Sequence, residues 1–252
     1  MDAIEGRGRL IEPPPEDMEE ELMANVLITG SNRGIGLELA RAYAAAGDRV
    51  FACCRSPDGA ESLKALASSS GGKVTVHAVD VGDGASIATL GKAVGDTPID
   101  ILINNAGVLG GHPQTLDSID FDAWMDALKV MTIGPFRVVQ TLLSNLKAAS
   151  GAKIMTVTSQ LAASTWPFGT TYAYSSAKAG VNKVMQTLAL DLKGDGIAVS
   201  MIHPGWVKTD MGGPGADITP EESAAGIKSV IAGLSMADTG KFYKWNGDIH
   251  PW

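Results

Sequence analysis

The chain has 252 residues, of which 45% are hydrophobic and 19% charged, with 30 glycines. This length and composition allow a sizeable core and exclude a disordered chain or a disulfide-dependent miniprotein. No stretch approaches the ~18 consecutive apolar residues of a membrane span, and no basic cluster indicates nucleic-acid binding. We therefore expect neither a membrane nor a nucleic acid among its partners.

The formal net charge of −8 is concentrated at the N-terminus. Residues 1–22 contain eight acidic and two basic residues, which leaves 20 acidic and 18 basic residues in the remainder. The segment also contains Pro13-Pro14-Pro15, so residues 1–23 are predicted to form a solvated extension and residues 24–252 a single domain. Ile4-Glu5-Gly6-Arg7 is also a protease site used in expression vectors, and a vector origin is the alternative for part of this segment.

The only cysteines, Cys53 and Cys54, are adjacent in an apolar run. Neighbouring residues of a strand point to opposite faces, so a structural disulfide between them is not expected. The N-terminus has no signal-peptide pattern. Together these features predict a reduced, cytoplasmic setting.

From residue 24 onward, short apolar runs alternate with longer amphipathic stretches. The predicted strands are 25–29, 49–54, 73–79, 99–104, 153–159 and 197–203. The predicted helices are about 34–46, 59–68, 85–94, 121–149, 173–193 and 220–234. Strand alternating with helix predicts an α/β fold with an open, doubly wound, mostly parallel sheet covered by helices on both faces. A closed eight-stranded barrel would need two more units.

The first strand leads directly into a glycine-rich turn and then a helix. Such a turn lets backbone N–H groups approach a pyrophosphate, which the helix N-terminus stabilises. The spacing does not match a G-K-[ST] phosphate loop, which disfavours an NTPase, and a plain tight turn is the alternative. The candidate cofactor-binding residues here are Gly30, Ser31, Asn32, Arg33, Gly34, Ile35 and Gly36.

The ends of the second and third strands carry further candidate cofactor contacts. Arg55 stands where NAD-binding sites usually place an acid, and with Arg33 it favours NADP(H) over NAD(H). Two solvated surface arginines are the alternative. Asp80 and Val81 follow the third strand, where the Asp80 carboxylate could accept the adenine amino group or simply cap the loop.

Tyr174 and Lys178 are spaced i and i+4 at the start of a predicted helix, on one face. A nearby ammonium favours the phenolate, so the pair could exchange a proton with a carbonyl oxygen. Ser159, at the end of the fifth predicted strand, could hydrogen-bond the substrate carbonyl or cap a loop. The fourth strand ends in small and amide side chains that either admit a cofactor or form an ordinary turn, Asn104, Asn105, Ala106 and Gly107.

In order and spacing these motifs resemble the short-chain dehydrogenase/reductase family. The resemblance rests on TGSNRGIG (29–36), NNAG (104–107), Ser159, YSSAK (174–178) and HPGWVKTDM (203–211). It implies a Rossmann-type sheet of seven strands, with Lys241–Tyr243 as the last. The ending GKFYKWNGDIHPW is similar to the carbonyl-reductase subgroup that includes C-factor and sniffer-type proteins.

The resemblance also implies roles for individual residues. Tyr174 would be the acid/base, Lys178 would bind the nicotinamide ribose and lower the tyrosine pKa, and Ser159 would orient the substrate. The residues implied to lie along the nicotinamide are Pro204, Gly205, Val207 and Thr209. A homodimer or homotetramer is the implied assembly.

One position departs from the family pattern. The family carries an active-site Asn three residues before the Gly of the long central helix, where this chain has Met131 in KVMTIGPF. That Asn kinks the helix and holds a water linking the Lys to solvent. Methionine has no comparable donor or acceptor, so either another group completes the proton relay or turnover is reduced. Gly134-Pro135 remains and could supply the kink.

The sequence thus predicts an NADP(H)-dependent oxidoreductase acting on a small-molecule carbonyl or alcohol. The alternative is a catalytically weakened NADP(H)-binding sensor or interaction protein, for which Met131 and the acidic segment are the arguments. A sugar-nucleotide epimerase would need a larger C-terminal region than 205–252. No histidine shows metal-ligand spacing, so no metal is expected, and Trp166-Pro167-Phe168 lines either an apolar substrate pocket or a packed loop.

Overall fold

A computed structural model describes residues 23–252; the predicted extension therefore lies outside the described residues, except for Met23. One sheet of seven strands has the order β3-β2-β1-β4-β5-β6-β7, and all six pairings are parallel. The strands are β1 (Asn25–Thr29), β2 (Arg49–Cys54), β3 (Val74–Ala78), β4 (Ile101–Asn104), β5 (Lys153–Val157), β6 (Ala198–His203) and β7 (Phe242–Lys244). The prediction of an open, doubly wound sheet is confirmed.

Helices cover both faces of this sheet. They are α1 (Gly34–Ala45), α2 (Glu61–Ser69), α3 (Gly84–Val94), α4 (Phe121–Leu128), α5 (Gly134–Thr141), α6 (Leu143–Ala148), α7 (Tyr172–Asp191) and α8 (Pro220–Gly233). Because alternate strand residues point to opposite faces, the core divides into two apolar layers. Leu27 and Leu102 pack under α3, α5 and α7, whereas Ile28 and Ile103 pack under α1 and α8.

The predicted helical stretch over about 121–149 is helical in the structure but is not one regular α-helix. It consists of α4, a π-helical segment Lys129–Ile133, α5 and α6. Gly134 lies against the carbonyl of Val81, since a Cβ there would come within 2.5 Å of that oxygen. Pro135, in the first turn of α5, has no N–H for the carbonyl four residues earlier, which interrupts the α-helical pattern. Gly134-Pro135 therefore accompanies the break, as the sequence indicated.

The remaining elements match their predicted positions to within a few residues, the expected scatter at element ends. β5 ends at Val157 rather than at residue 159, which places Ser159 just beyond the strand. The last strand is shifted by one residue from its predicted range. Within residues 23–252, no helix has both the length and the apolar character required to cross a bilayer.

Candidate active site

The candidate residues lie beyond the carboxyl ends of the parallel strands. From β1 the sheet continues to β2 and β3 on one side and to β4 and the later strands on the other. This reversal opens a crevice between the turns that follow β1 and β4, the usual ligand position in doubly wound sheets. The glycine-rich turn after β1 and the NNAG segment after β4 therefore face each other.

Two glycines in the turn after β1 are required by geometry. Gly30 has φ +71°, and a Cβ there would lie 2.8 Å from the Cα of Ala106. A Cβ on Gly36 would overlap the carbonyl oxygen of Gly30. Side chains at either position would force the turn away from α1 or from the NNAG segment. The turn therefore packs closely against Ala106, and the approach of its N–H groups to a pyrophosphate stays a prediction.

The N-terminus of α1 is open to an anion. Its N-cap residue, Arg33, forms no side-chain cap, and the first turn has no acidic residue. The first N–H groups of a helix have no intrahelical acceptor and carry a partial positive charge. Ser31 is buried and internally bonded, since its N–H donates to the carbonyl of Cys53 and its hydroxyl to the carbonyl of Ile28. Ser31 therefore holds the turn in place, whereas exposed Asn32 and half-buried Ile35 border the open helix end.

Thr29 is a site residue that the sequence reasoning did not single out. Its hydroxyl oxygen accepts the N–H groups of Asn105 (3.0 Å) and Ala106 (3.1 Å). The Asn105 amide in turn donates to the carbonyls of Thr29 and Gly30, both at 3.0 Å. Thr29 is the first residue of the TGSNRGIG motif, and this position in the sequence could have indicated its role. These bonds fix the turn after β1 and the NNAG segment relative to each other.

Asn104 lies deeper than its neighbours. Its side chain is buried, its Nδ2 donates to the Thr156 hydroxyl at 3.4 Å, and its Oδ1 has no partner among the described residues. Gly107, at the other end of the segment, is exposed. The NNAG segment therefore has a buried structural end and an exposed end that faces the crevice.

The two candidate cations differ in their surroundings. Arg55 is exposed just beyond β2, whereas Arg33 forms an ion pair with Asp210.

Past β3, Asp80 Oδ1 accepts the N–H of Gly82 at 2.8 Å, which is the loop-capping role left open by the sequence. Val81 is buried. A contact between Asp80 and an adenine stays a prediction that would use its other carboxylate oxygen.

Tyr174 lies in the first turn of α7 and is half-buried, close to buried Ser159. Burial raises the pKa of Tyr174, and the hydrogen bond with the Ser159 side chain opposes that rise. This direction is opposite to the one that the family resemblance implies. Ser159 Oγ also accepts the N–H of Leu161 at 3.1 Å. Ser159 therefore has the loop-capping role considered for it and lies beside the candidate acid, and its bond to a substrate carbonyl stays a prediction.

Lys178 is buried. Its Nζ donates to the carbonyl of Val157 at 2.8 Å and lies 5.9 Å from the centre of the Tyr174 ring. Burial lowers the pKa of Lys178 to about 8. A Cβ on Gly107 would be 3.6 Å from Met131 Sδ and 3.7 Å from Lys178 Nζ. Gly107 at the exposed end of NNAG therefore lies close to both Lys178 and Met131, the residue that differs from the family pattern.

Met131 is 1% exposed in the π-helical segment. It packs with three alanines, Ala127, Ala173 and Ala177. The last two belong to α7, so the methionine lies directly against the helix that carries Tyr174 and Lys178. The position offers a thioether where the family pattern has an amide, in agreement with the expected core role.

Gln114 is a second residue that the sequence reasoning missed. Its Oε1 accepts the N–H of Ala173 at 2.8 Å and that of Tyr174 at 3.5 Å, at the start of α7. Its Nε2 donates to the carbonyls of Leu109 (2.7 Å) and Gly111 (3.1 Å). A lone glutamine in a loop carries no sequence signal for such a role. It fastens the loop after NNAG to the turn that bears the candidate acid.

The segment after β6 approaches the crevice from the other side. The Pro204 carbonyl accepts the Ser223 hydroxyl at 2.7 Å, and Gly205 has φ +90°. Val207 is buried and bridges to Ile218. Thr209 contacts the glycine-rich turn, because a Cβ on Gly34 would lie 3.1 Å from its Cγ2. Thr209 therefore lies beside the crevice, whereas Val207 anchors the segment.

Two further expectations concern the Trp166-Pro167-Phe168 segment and metal binding. Trp166 and Phe168 are 47% and 64% exposed after Ser159, which makes them surface groups rather than a packed loop. Across residues 23–252, no three His, Cys, Asp or Glu side chains are grouped so that they could hold a metal ion.

The chain is similar to short-chain dehydrogenases in sequence and to carbonyl reductases in structure. The family model described as "short chain dehydrogenase" matches residues 24–217. "C-signal" of Myxococcus xanthus is 37% identical over 158 residues, covering 62% of this chain and 93% of the relative. NADPH-bound carbonyl reductase from chicken fatty liver superposes with a TM-score of 0.86 at 32% identity, covering 91% of this chain and 99% of that one. Carbonyl reductase Sniffer of D. melanogaster gives 0.84 at 27% identity, covering 91% and 100%.

Proposed function

Because the chain belongs to the short-chain dehydrogenase/reductase family of oxidoreductases, we propose that it is an NADP(H)-dependent carbonyl reductase. In this proposal it reduces the carbonyl group of a small molecule to an alcohol. Ser159, Tyr174 and Lys178 are the catalytic residues, and the crevice between the turns after β1 and β4 holds the dinucleotide.

The crevice fits a dinucleotide by its own chemistry. The uncapped N-terminus of α1 suits a pyrophosphate, and the close approach of Gly30 to Ala106 leaves backbone rather than side chain at the crevice wall. Arg55, exposed past β2, suits a 2′-phosphate. Lys178 Nζ, enclosed beside Gly107, suits the hydroxyls of the nicotinamide ribose. The solved chicken carbonyl reductase that resembles this chain carries NADPH.

Bound NADPH would supply the hydride that reaches the carbonyl carbon. Tyr174 donates the proton to the carbonyl oxygen. Burial raises its pKa, so the phenol is in the protonated form that a proton donor requires at neutral pH. Ser159 hydrogen-bonds both the phenol and the carbonyl oxygen, and so holds that oxygen within reach of the acid.

Lys178 assists in a different way. Its ammonium, fixed by the Val157 carbonyl, stabilises negative charge that develops on the phenolic oxygen after proton transfer. Its pKa of about 8 leaves it mostly protonated at neutral pH. Reduction should therefore weaken as the pH rises through that value.

The observation that carries the proposal is the convergence of Ser159, Tyr174 and Lys178 at the exposed end of NNAG. The test is NADPH oxidation against a panel of aldehydes and ketones, with the parent and with Tyr174→Phe. We expect the variant to lose nearly all turnover and to retain NADPH binding, since only the proton donor is removed. Tyr172→Phe is the matched control, because Tyr172 is 43% exposed two residues earlier. Substantial turnover in Tyr174→Phe would overturn the catalytic assignment.

The cofactor is tested separately. Charge-assisted contacts contribute about 1.5–3 kcal/mol, so Arg55→Ala should lower the preference for NADPH over NADH by roughly tenfold or more. Dissociation constants from fluorescence titration measure this. Equal affinity of the parent for NADPH and NADH would contradict the assignment of NADP(H).

A second candidate function is a catalytically weakened NADP(H)-binding sensor. The burial of Met131 against α7, in place of an amide that could hold a relay water, favours it. A parent chain that binds NADPH but reduces none of the carbonyl panel would support this second function over the first.

We also propose a cytoplasmic location and a homodimer or homotetramer. The two cysteines, both free and buried, are consistent with a reducing compartment. A groove of about 380 Å³ on the outer side of α5 and α7 includes Ile133 and Phe136, which are 43% and 40% exposed. Sedimentation of the parent and of Phe136→Asp tests the assembly, and a monomeric parent would contradict it.

A further inference from the structure

Arg33 has two potential anionic partners. In the structure its guanidinium pairs with the carboxylate of Asp210, 177 positions away in the sequence. Together with Arg55, it is also a candidate partner for the 2′-phosphate of NADP(H). The ion pair joins the turn after β1, which is one wall of the crevice, to the segment after β6, which approaches the crevice from the other side.

The pair lies where these two segments touch. Arg33 is the N-cap residue of α1, and Gly34 beside it contacts Thr209, the neighbour of Asp210. The carboxylate therefore competes for the guanidinium at the same helix end that is open to the cofactor's phosphates.

A braced turn presents this carboxylate. The Trp206 indole N–H donates to the Gly212 carbonyl at 2.9 Å, and the Gly212 N–H donates to the Thr209 hydroxyl at 3.1 Å. The Gly213 N–H also donates to the Thr209 carbonyl at 2.8 Å. These bonds hold the backbone of the turn that carries Asp210, whereas the Asp210 side chain itself is exposed.

We propose that Asp210 is a specificity-determining residue, which competes with the cofactor's 2′-phosphate for Arg33. This inference rests on the proposed function. Arg33 contacts Asp210 through Nη1, and a 2′-phosphate would have to compete with this carboxylate for the positive charge of the guanidinium. Asp210 therefore weakens binding of a 2′-phosphorylated dinucleotide and leaves binding of its unphosphorylated counterpart nearly unchanged.

The effect is limited by exposure. The Arg33 and Asp210 side chains are 72% and 74% exposed. Exposed pairs are weak and screened by salt. Removing the competitor should therefore raise affinity for the 2′-phosphate by about two- to fivefold at low salt, and by less at high salt.

The test uses Asp210→Asn, which keeps the shape of the side chain and removes its charge. We expect the affinity for 2′,5′-ADP to rise by about two- to fivefold, with no change for 5′-AMP, in calorimetric titrations. The matched control is Asp217→Asn, an exposed aspartate of the same segment. In the Arg33→Ala background, Asp210→Asn should have no effect on either ligand, because the shared partner is absent.

Two results would overturn the inference. One is a 2′,5′-ADP affinity that is unchanged or lower in Asp210→Asn; the other is the same gain in the Arg33→Ala background. Both results differ from the result that would reject the proposed cofactor assignment. Equal parent affinity for 2′,5′-ADP and 5′-AMP would reject NADP(H) itself, whereas a preserved preference without response to Asp210→Asn would reject only the competition.

Discussion

Met131→Asn tests a position at which this chain departs from the family pattern at the active site. Met131 is 1% exposed and packs on Ala127, Ala173 and Ala177. An asparagine there buries an amide among methyl groups, at about 1–3 kcal/mol if unsatisfied, and loses part of the methionine's packing. We expect a net loss of about 2–4 kcal/mol in the free energy of unfolding. At roughly 2–4 °C per kcal/mol for a chain of this size, Tm should fall by about 5–15 °C.

The same substitution has a kinetic consequence. If the relay from Lys178 to solvent limits turnover, an amide at position 131 restores a site for a relay water. General acid–base catalysis contributes about 10²–10⁴-fold in total, so one relay member should raise kcat by about tenfold. The NADPH dissociation constant should stay nearly unchanged.

The assay combines thermal melts with steady-state NADPH oxidation. Met131→Leu is the control, since a swap of similar volume costs less than about 1.5 kcal/mol and adds no polar group. A folded Met131→Asn protein with unchanged or lower kcat would refute the argument that the relay is limiting. A Tm equal to that of the parent would refute the argument from packing.

Two further predictions concern residues outside the catalytic set. Gln114→Ala removes the acceptor for the N–H groups at the start of α7, so kcat should fall several-fold with NADPH affinity retained; equal losses of both would indicate a general folding defect. His203 is buried, and this burial, followed by His250 and then Lys244, lowers its pKa from 6.5 to about 4. The contribution of neutral His203 to the free energy of unfolding is about 3 kcal/mol at most. It is present above pH 6.5 and lost as the pH falls through 4. Urea midpoints of His203→Phe should therefore depend less on pH than those of the parent, and parallel curves would contradict this.

Local sequence patterns determined the architecture. Five- to seven-residue runs rich in Val and Ile alternate with amphipathic stretches, and in this order they are compatible with few folds other than a doubly wound parallel sheet. The sequence alone also predicted the tight turn at Gly36 and the shared helix face of Tyr174 and Lys178. Both are local features, a strand-to-helix turn and an i, i+4 pair.

Only the tertiary structure decided which groups meet. The contact of Met131 with the lysine's surroundings depends on a π-helical segment, which helical periodicity does not reveal. Gln114 caps a helix 59 positions away, and Asp210 reaches Arg33 across 177. Such partnerships depend on how distant loops pack at the carboxyl edge of the sheet, and this packing is a property of the whole fold rather than of any segment. For the same reason, burial raised the pKa of Tyr174 although the residue pattern alone favoured a lower one.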